Sequence, residues 1–300
     1  MKKPNFFIVG AAKCGTTSLA SSLALHEEIF ISKIKEPHYF IPSNIKTTLP
    51  IAINDFKEYS GLFSEADCEN FLGEASVLYL PMYKDVIPRI KAEIGEDVKI
   101  IIILRNPNER MKSAFEHSKR FNAMETASTL EQALLEEPER VKKGLNPMLC
   151  YSWLSQYGEQ CKAYFDAFEH VKVIFYEEFI KNQRDVLVEI FEFLGVNSEN
   201  YDYSKNVHEN KSIGTWKIGF VGRYLNYLLP GSARYRLREK YPKLYSMIFS
   251  LVKKVLLRKG GKIVLDQRFS EISKQTEKLQ EFVNVPSSLW SDINNEENRA

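Results

Sequence analysis

A glycine-bounded turn near the start of the chain has the residues of an anion-binding loop. The stretch FIVGAAKCGTTSL (7–19) contains two glycines, one lysine and three hydroxyl residues: Gly10, Gly15, Lys13, Thr16, Thr17 and Ser18. The amides of such a turn and the positive end of the following helix converge on one point, which suits an anion. Loops that bind nucleoside triphosphates carry their lysine after the second glycine, and this one does not. We therefore predict an anion site, but not a site for ATP with magnesium.

A second pair of polar residues follows another apolar run. Arg105 comes directly after the run, and Ser113 lies eight residues further on, inside the helical pattern NPNERMKSAFEH (106–117). A guanidinium fork at the carboxyl end of a strand, with a hydroxyl nearby, suits a separate phosphate. Two phosphate sites at neighbouring strands predict a ligand such as a nucleotide phosphorylated at two positions.

Alternating strands and helices must position these residues. Short apolar runs rich in Ile, Val and Phe predict buried parallel strands at 5–10, 98–104 and 171–176. Helical patterns follow at 16–26, at 106–117 with Asn106 as N-cap, and at 178–195 with Gly195 as the stop. This order predicts an α/β fold with a P-loop-like central parallel sheet flanked by helices, whose ligands bind at the carboxyl ends of the strands. No regular element is predicted for about 40–70, and the chain from 215 onward is predicted to be mostly helical.

Composition is typical of a soluble globular protein. The 300 residues are 44% hydrophobic and 27% charged, which is enough to bury a sizeable core. The four cysteines have no spacing typical of a metal site or a disulfide framework, so we expect reduced thiols. Because no leader and no membrane-spanning run is recognisable, we expect a cytoplasmic protein.

Four sequence blocks together resemble a known family. They are VGAAKCGTTSL (9–19), KEPHYF (35–40), GEASVLYL (73–80) and LRNPNERMKSAF (104–115). In this order they resemble the sulfotransferases that use 3′-phosphoadenosine 5′-phosphosulfate (PAPS), and they are most similar to the bacterial and carbohydrate-directed branch. The stretch 271–290 is similar to the family's closing helix and tryptophan. We expect a single domain over 1–300, with an α/β cofactor-binding core at 5–210 and a basic helical acceptor-side portion at 211–300.

The resemblance implies roles for the two phosphate sites. The first loop would hold the 5′-phosphosulfate through Lys13, Cys14, Gly15, Thr16, Thr17 and Ser18. Arg105 and Ser113 would hold the 3′-phosphate, and no metal is expected. The segment 206–216 is similar to a later nucleotide-binding loop of the family, although Ile213 replaces the arginine that is usual there. Its candidate contacts are Lys211, Ser212 and Gly214.

Sulfuryl transfer needs a cation at the leaving oxygen and a base for the acceptor proton. Lys13 is the candidate cation. Glu36 and His38 are candidate bases, on one face if the segment is extended, and the family resemblance favours Glu36. Glu36 could instead form an ion pair with Lys33 or Lys35, and His38 could pack or contact the substrate. The remaining histidines have no partner spacing and are predicted to be structural: His26, His117, His170 and His208.

The block GEASVLYL bears on the acceptor. Enzymes of the family that act on sulfated animal polysaccharides have a lysine where this chain has Ala75, so their acceptor specificity is not implied. Glu74 and Ser76 are expected to line the acceptor cleft.

The stretch 211–262 is strongly basic. It contains thirteen Lys and Arg against one acid, Glu239, a local charge of +12 in a chain of net charge +2. Its apolar residues and cations alternate at helical spacing, which suits a helix on an anionic membrane surface, a groove for an anionic glycan, or helices packed inward on the core. We predict a saccharide or glycolipid acceptor, with peripheral and salt-sensitive membrane contact and no nucleic-acid partner.

Sulfotransferase is therefore the predicted function. One alternative is a non-catalytic protein that binds nucleotides or polyanions, and a poorer one is a metal-dependent small-molecule kinase. Lys13 and Glu36 together favour the enzyme, because a binding protein has no use for a carboxylate beside an anion site.

Overall fold

The computed structural model describes residues 1–122, 125–204, 269–286 and 289–290. One five-stranded parallel sheet has the order β2-β3-β1-β4-β5. Its strands are β1 Phe6–Gly10, β2 Ile29–Ile31, β3 Phe71–Ala75, β4 Lys99–Leu104 and β5 His170–Phe175. β1 pairs in parallel with β3 on one side and with β4 on the other. The predicted P-loop-like α/β fold with a central parallel sheet is confirmed.

Helices cover both faces of this sheet. They are α1 Thr16–Leu23, α2 Ser43–Lys46, α3 Phe56–Gly61, α4 Tyr83–Glu93, α5 Pro107–His117, α6 Leu130–Lys142, α7 Tyr157–Ala167, α8 Tyr176–Lys181, α9 Gln183–Leu194 and α10 Phe269–Gln280. The end of α1 lies near the end of α9, since the ring of His26, just after α1, is 4.8 Å from that of Phe191 in α9. α4 and α7 pack together. Right-handed crossovers in opposite directions from β1 and β3 place α1 and α4 on opposite faces.

The three predicted strands are present, and two further strands were not predicted. β2 has only three residues, and β3 contains Gly73 and Glu74, which are both unfavourable in strands. A Cβ at Gly73 would overlap the buried ring of Phe6 on the neighbouring strand, so a larger residue there would displace that ring. The predicted helix 178–195 is two helices separated at Asn182, and the stretch from 40 to 70 contains α2 and α3.

Local sequence explains the helices beside the site. Asn106 caps α5 by accepting hydrogen bonds from the amides of Asn108 and Glu109, and Pro107 occupies its first position, as predicted. Gly195 ends α9 with a φ of 87°, also as predicted. At the other end of the chain, the buried ring of Trp290 lies 5.4 Å from that of Phe175. The expected closing tryptophan therefore packs on the end of β5.

Several predictions fall partly or wholly outside the described residues. The basic stretch 211–262 lies outside them, and the division of the domain at 210 stays a prediction. Among the helices that the structure describes, none is long and apolar enough to cross a membrane. Cys14, Cys150 and Cys161 are buried free thiols, and Cys68 is an exposed one.

Candidate active site

The loop between β1 and α1 is shaped to receive an anion. Lys13 and Gly15 have φ angles of 68° and 91°, and the amide of Ala11 donates to the carbonyl of Ile103, which ties the loop to β4. A side chain at Gly15 would lie 2.8 Å from the ring of Tyr176. Gly15 is also the N-cap of α1 and provides no capping side chain, so the first-turn amides face the loop uncapped.

Lys13 lies among other charged groups at the carboxyl edge of the sheet. Its Nζ is 3.3 Å from Nδ1 of His117, at the end of α5. Burial and the nearby charges of Lys35 and Arg105 lower the pKa of Lys13 to about 8, although Glu36 opposes this. Burial and the Lys13 charge lower the pKa of His117 to about 3, so the imidazole is neutral and its Nδ1 can accept from the ammonium. His117, which was predicted to be structural, thus contacts the candidate cation of the site.

Glu36 and His38 are in contact, but not in the predicted way. Their φ angles are 59° and 51°, so the segment is not extended. The turn nevertheless brings Nε2 of His38 to 3.4 Å from Oε2 of Glu36, while Nζ of Lys35 is 2.9 Å from Oε1. The predicted Lys35 pair is present, and Lys33 instead pairs with Glu65.

The environment of Glu36 keeps its side chain ionised. Burial alone would raise its pKa, but the charge of Lys35 and the hydrogen bond from His38 outweigh burial and hold the pKa of Glu36 well below its usual range. The Glu36 side chain is 29% exposed and can be reached by a ligand, whereas that of His38 is only 6% exposed. Of the two candidate bases, Glu36 is therefore the more accessible.

Arg105 lies next to this part of the site, directly after the end of β4. Its guanidinium lies over the ring of Tyr176, 4.9 Å from the centroid, and its Nη2 is 3.7 Å from the half-exposed carboxylate of Glu109. Ser113 is half-buried on α5, one turn before His117. β1 and β4 are adjacent and their crossovers leave on opposite faces, so their carboxyl ends border the crevice where ligands bind in such sheets.

Some predicted residues occupy other positions. The thiol of Cys14 is buried against the hydroxyl of Tyr157 at 3.7 Å, and burial raises its pKa to about 11, so this side chain does not enter the site. Glu74 and Ser76 are completely buried and do not line a cleft. Ser76 instead accepts a hydrogen bond from the amide of His38 at 3.3 Å. Thr16, Thr17 and Ser18 form the first turn of α1, while Lys211, Ser212 and Gly214 lie outside the described residues.

Three residues of the site were not identified in the sequence: His117, Tyr176 and Arg120. Arg120 pairs with Glu116 at 2.5 Å and is near enough to help lower the pKa of Lys13. Two signals were available. Tyr176 is the last residue of a predicted strand, and His117 lies four residues after Ser113 on the same helix.

The arrangement combines cations with one accessible carboxylate. Lys13 and Arg105 extend from adjacent strand ends, and Glu36 approaches from the turn beside β3, where its amide donates to the carbonyl of Ala75. Cations in a partly buried site stabilise developing negative charge strongly, and an ionised carboxylate can accept a proton. The site is chemically equipped for transferring an anionic group to a protic acceptor.

Comparison with known proteins gives consistent matches. A family model described as a sulfotransferase domain matches residues 3–212. The solved structure of a sulfotransferase from Alicyclobacillus acidocaldarius is 33% identical, with a TM-score of 0.61, over 80% of this chain and 96% of that one. Mouse bifunctional heparan sulfate N-deacetylase/N-sulfotransferase 4 is 27% identical over 227 residues, 71% of this chain. Human carbohydrate sulfotransferase 15 is 54% identical over 37 residues, 12% of this chain and 7% of that protein. The chain spans about a quarter, 24%, of the length of the first of these curated relatives.

Proposed function

This chain belongs to the sulfotransferase domain family, and we propose that it transfers a sulfuryl group from PAPS to a hydroxyl or amino group of a saccharide acceptor. The observation that carries the proposal is the meeting of Lys13, Arg105 and Glu36 at the carboxyl ends of adjacent strands. Two cations that follow different strands suit a donor with two phosphate positions, and the carboxylate suits an acceptor that must lose a proton.

The cationic side of the site fits the donor. A buried lysine whose pKa is lowered partly by neighbouring cations marks a place that is short of negative charge. The uncapped first turn of α1 and Lys13 would hold the 5′-phosphosulfate. Arg105, already oriented by Tyr176, would hold the 3′-phosphate together with Ser113. Lys211, Ser212 and Gly214 stay predicted contacts.

Each charged side chain has a part in the proposed transfer. PAPS, when bound, supplies the sulfuryl group, and its bond from sulfur to the bridging oxygen breaks as the acceptor oxygen or nitrogen bonds to sulfur. Glu36 accepts the acceptor's proton. Lys13 donates a hydrogen bond to the bridging oxygen, where negative charge increases, and neutral His117 orients the ammonium. His38 positions Glu36 through its ring contact.

The acceptor proposal draws on the relatives' names. The mouse relative is named for heparan sulfate and the human one for carbohydrate, which supports a saccharide acceptor. A glycolipid acceptor and peripheral membrane contact depend on residues 211–262, which lie outside the described residues. A cytoplasmic location depends on no described feature. All three stay predictions. Membership of the family disfavours the small-molecule kinase, and Glu36 beside Lys13 disfavours a protein that only binds nucleotides or polyanions.

A transfer assay tests the proposal. Purified protein is incubated with PAPS labelled in its sulfuryl group and a panel of glycans, glycolipids and phenols. We expect label in a saccharide, with turnover reduced about 10²–10³-fold in Lys13→Ala and about 10²–10⁴-fold in Glu36→Gln. Lys162→Ala, which removes an exposed lysine paired with Asp166 on α7, is the matched control and should transfer normally. Absence of transfer to every saccharide, or full turnover in both site variants, would contradict the proposal.

A further inference from the structure

A cavity of about 580 Å³ lies beside the site described above. It is bordered by the first turns of α4 and α7 and by residues 42–45, a segment that begins six residues after Glu36. α4 begins after β3 and α7 ends before β5, so both first turns are at the carboxyl edge of the sheet. Tyr157, which begins α7, also contacts Cys14 of the phosphate loop. The cavity is therefore next to the phosphate loop, on the side covered by α4 and α7.

The lining of this cavity combines aromatic rings and amides. Tyr83 and Trp153 are both partly exposed, and Asn44, Gln156 and Gln160 contribute planar amide groups. Aromatic faces pack against the C–H faces of sugar rings, while amides both donate to and accept from hydroxyls. A volume of this size is in the range of small-molecule sites and holds one or two sugar rings.

Gln160 gives an independent indication of a ligand. The residue is only 3% exposed, and its Nε2 donates to the carbonyl of Trp153 at 2.9 Å. Its buried Oε1 has no hydrogen-bond partner among the described residues. Buried polar atoms are nearly always satisfied, so a hydroxyl donor inside the cavity would complete the bonding of this amide.

The charge of the lining distinguishes it from the phosphate site. Its ionisable residues are Lys84, Asp85 and Glu159, and Glu159 pairs with Lys278 at 3.2 Å. Among the lining residues that the structure describes, one cation against two acids provides no excess positive charge, which disfavours sulfated or carboxylated rings. An uncharged polyhydroxyl ligand suits the cavity best.

We propose that this cavity binds an uncharged sugar ring of the acceptor, flanking the ring presented to Glu36, and so determines which saccharides are accepted. The inference rests on the proposed function. Gln160 accepts a hydrogen bond from a sugar hydroxyl, and Tyr83 and Trp153 contact the ring faces.

Direct binding tests the inference apart from catalysis. Protein saturated with adenosine 3′,5′-bisphosphate is titrated with chitotriose, cellotriose and maltotriose, and binding is followed by saturation-transfer NMR. We expect at least one of the three to bind, with Kd raised tenfold or more in Gln160→Leu and in Tyr83→Ala. Because Tyr83 is half-exposed, its variant keeps the test valid if Gln160→Leu fails to fold. Tyr203→Ala, at a half-buried tyrosine near the opposite edge of the sheet, should bind like wild type.

The outcomes separate this inference from the proposed function. If none of the three sugars binds, or if binding is unchanged in both cavity variants, the cavity is not a saccharide site. If wild type transfers sulfate and both cavity variants keep the wild-type acceptor KM, this inference also fails while the proposed function stands. If sugars bind in the cavity but PAPS sulfates no acceptor, the proposed function fails and the binding site remains.

Discussion

Lys13 is proposed to bind the donor as a cation, and its titration makes this measurable. Burial and neighbouring cations lower the pKa of Lys13 to about 8, and a bound anion would raise it again. Binding therefore takes up a proton above that pH, and affinity for adenosine 3′,5′-bisphosphate should fall up to about tenfold per pH unit. Lys13→Arg keeps its charge and should remove the fall. Calorimetry from about pH 6.5 to 9.5 measures this, and a flat wild-type profile, or an equal fall in Lys13→Arg, would contradict the role.

Lys35 sets the proton affinity of the proposed base. Its ammonium, 2.9 Å from Glu36, helps to hold the pKa of Glu36 low. Lys35→Met should raise that pKa, so the acid limb of kcat/KM moves to higher pH. Lys33→Met is the matched control, since Lys33 pairs with Glu65 instead. An unmoved limb in Lys35→Met, or an equal shift in both variants, would indicate a different base.

Glu74 is a buried acid behind the site, and it links stability to pH. Burial raises its pKa to about 8 from 4.5, although the hydroxyls of Tyr79, Tyr59 and Ser76 reduce the shift. Neither carboxyl oxygen has a partner in hydrogen-bond geometry among the described residues. Between pH 4.5 and about pH 8, the Glu74 carboxyl loses its proton in the unfolded chain but keeps it in the folded protein. Glu74 therefore makes stability decrease by about 1.4 kcal/mol per pH unit as pH rises.

Glu74→Gln tests this coupling by urea unfolding at a series of pH values. In the variant, the unfolding free energy should no longer decrease with pH through this group. The variant should therefore gain stability relative to wild type as pH rises from about 5 to 8. Glu65→Gln changes an exposed acid and should follow the wild-type slope. An unchanged slope in Glu74→Gln would mean that the carboxyl is ionised or solvated in the folded protein.

At the scale of elements, the turn into α1 depends on Gly15. Its φ of 91° is unfavourable for a residue with a side chain, and a Cβ would collide with Tyr176, the ring under Arg105. Gly15→Ala should destabilise the fold by about 1–3 kcal/mol and weaken binding of adenosine 3′,5′-bisphosphate at both phosphate positions. Gly61→Ala, in α3, meets no atom within 4 Å and should leave both properties near wild type. Thermal unfolding and calorimetry on both variants decide, and normal nucleotide binding by Gly15→Ala would contradict this account of the turn.

The sequence predicted those elements whose signals are local. β1, β4 and β5 are mainly apolar runs, and Asn106 and Pro107 are recognisable as the start of α5. β2 and β3 could not be found, because one is very short and the other depends on its neighbours to bury Glu74. The same distinction holds in the site. Lys13 and Arg105 follow strands and were predicted, whereas the contact between Lys13 and His117 joins residues 104 positions apart and has no local signal.

At the scale of the whole molecule, the described cations of the site meet at one edge of the sheet. The described cations of the site follow β1, β2, β4 and α5: they are Lys13, Lys35, Arg105 and Arg120. The fold therefore brings them together from distant parts of the sequence. The cavity bordered by α4 and α7 lies at the same edge, and its described lining residues carry no excess positive charge. This division suits a charged donor and a largely uncharged acceptor on adjacent surfaces. The basic stretch 211–262 stays a prediction for the acceptor side.

Two separate phosphate positions are proposed to hold one nucleotide, and one set of titrations tests this arrangement. Adenosine 3′,5′-bisphosphate and adenosine 5′-monophosphate are titrated, in EDTA, into wild type and Arg105→Ala. Wild type should bind the bisphosphate much more tightly, and at a hundredfold excess over Kd the ligand should stabilise the fold by about 2.7 kcal/mol. Arg105→Ala should lose most of that preference while binding the monophosphate like wild type. Equal binding of both nucleotides by wild type, an absolute need for magnesium, or an Arg105→Ala variant that keeps the preference would contradict the account.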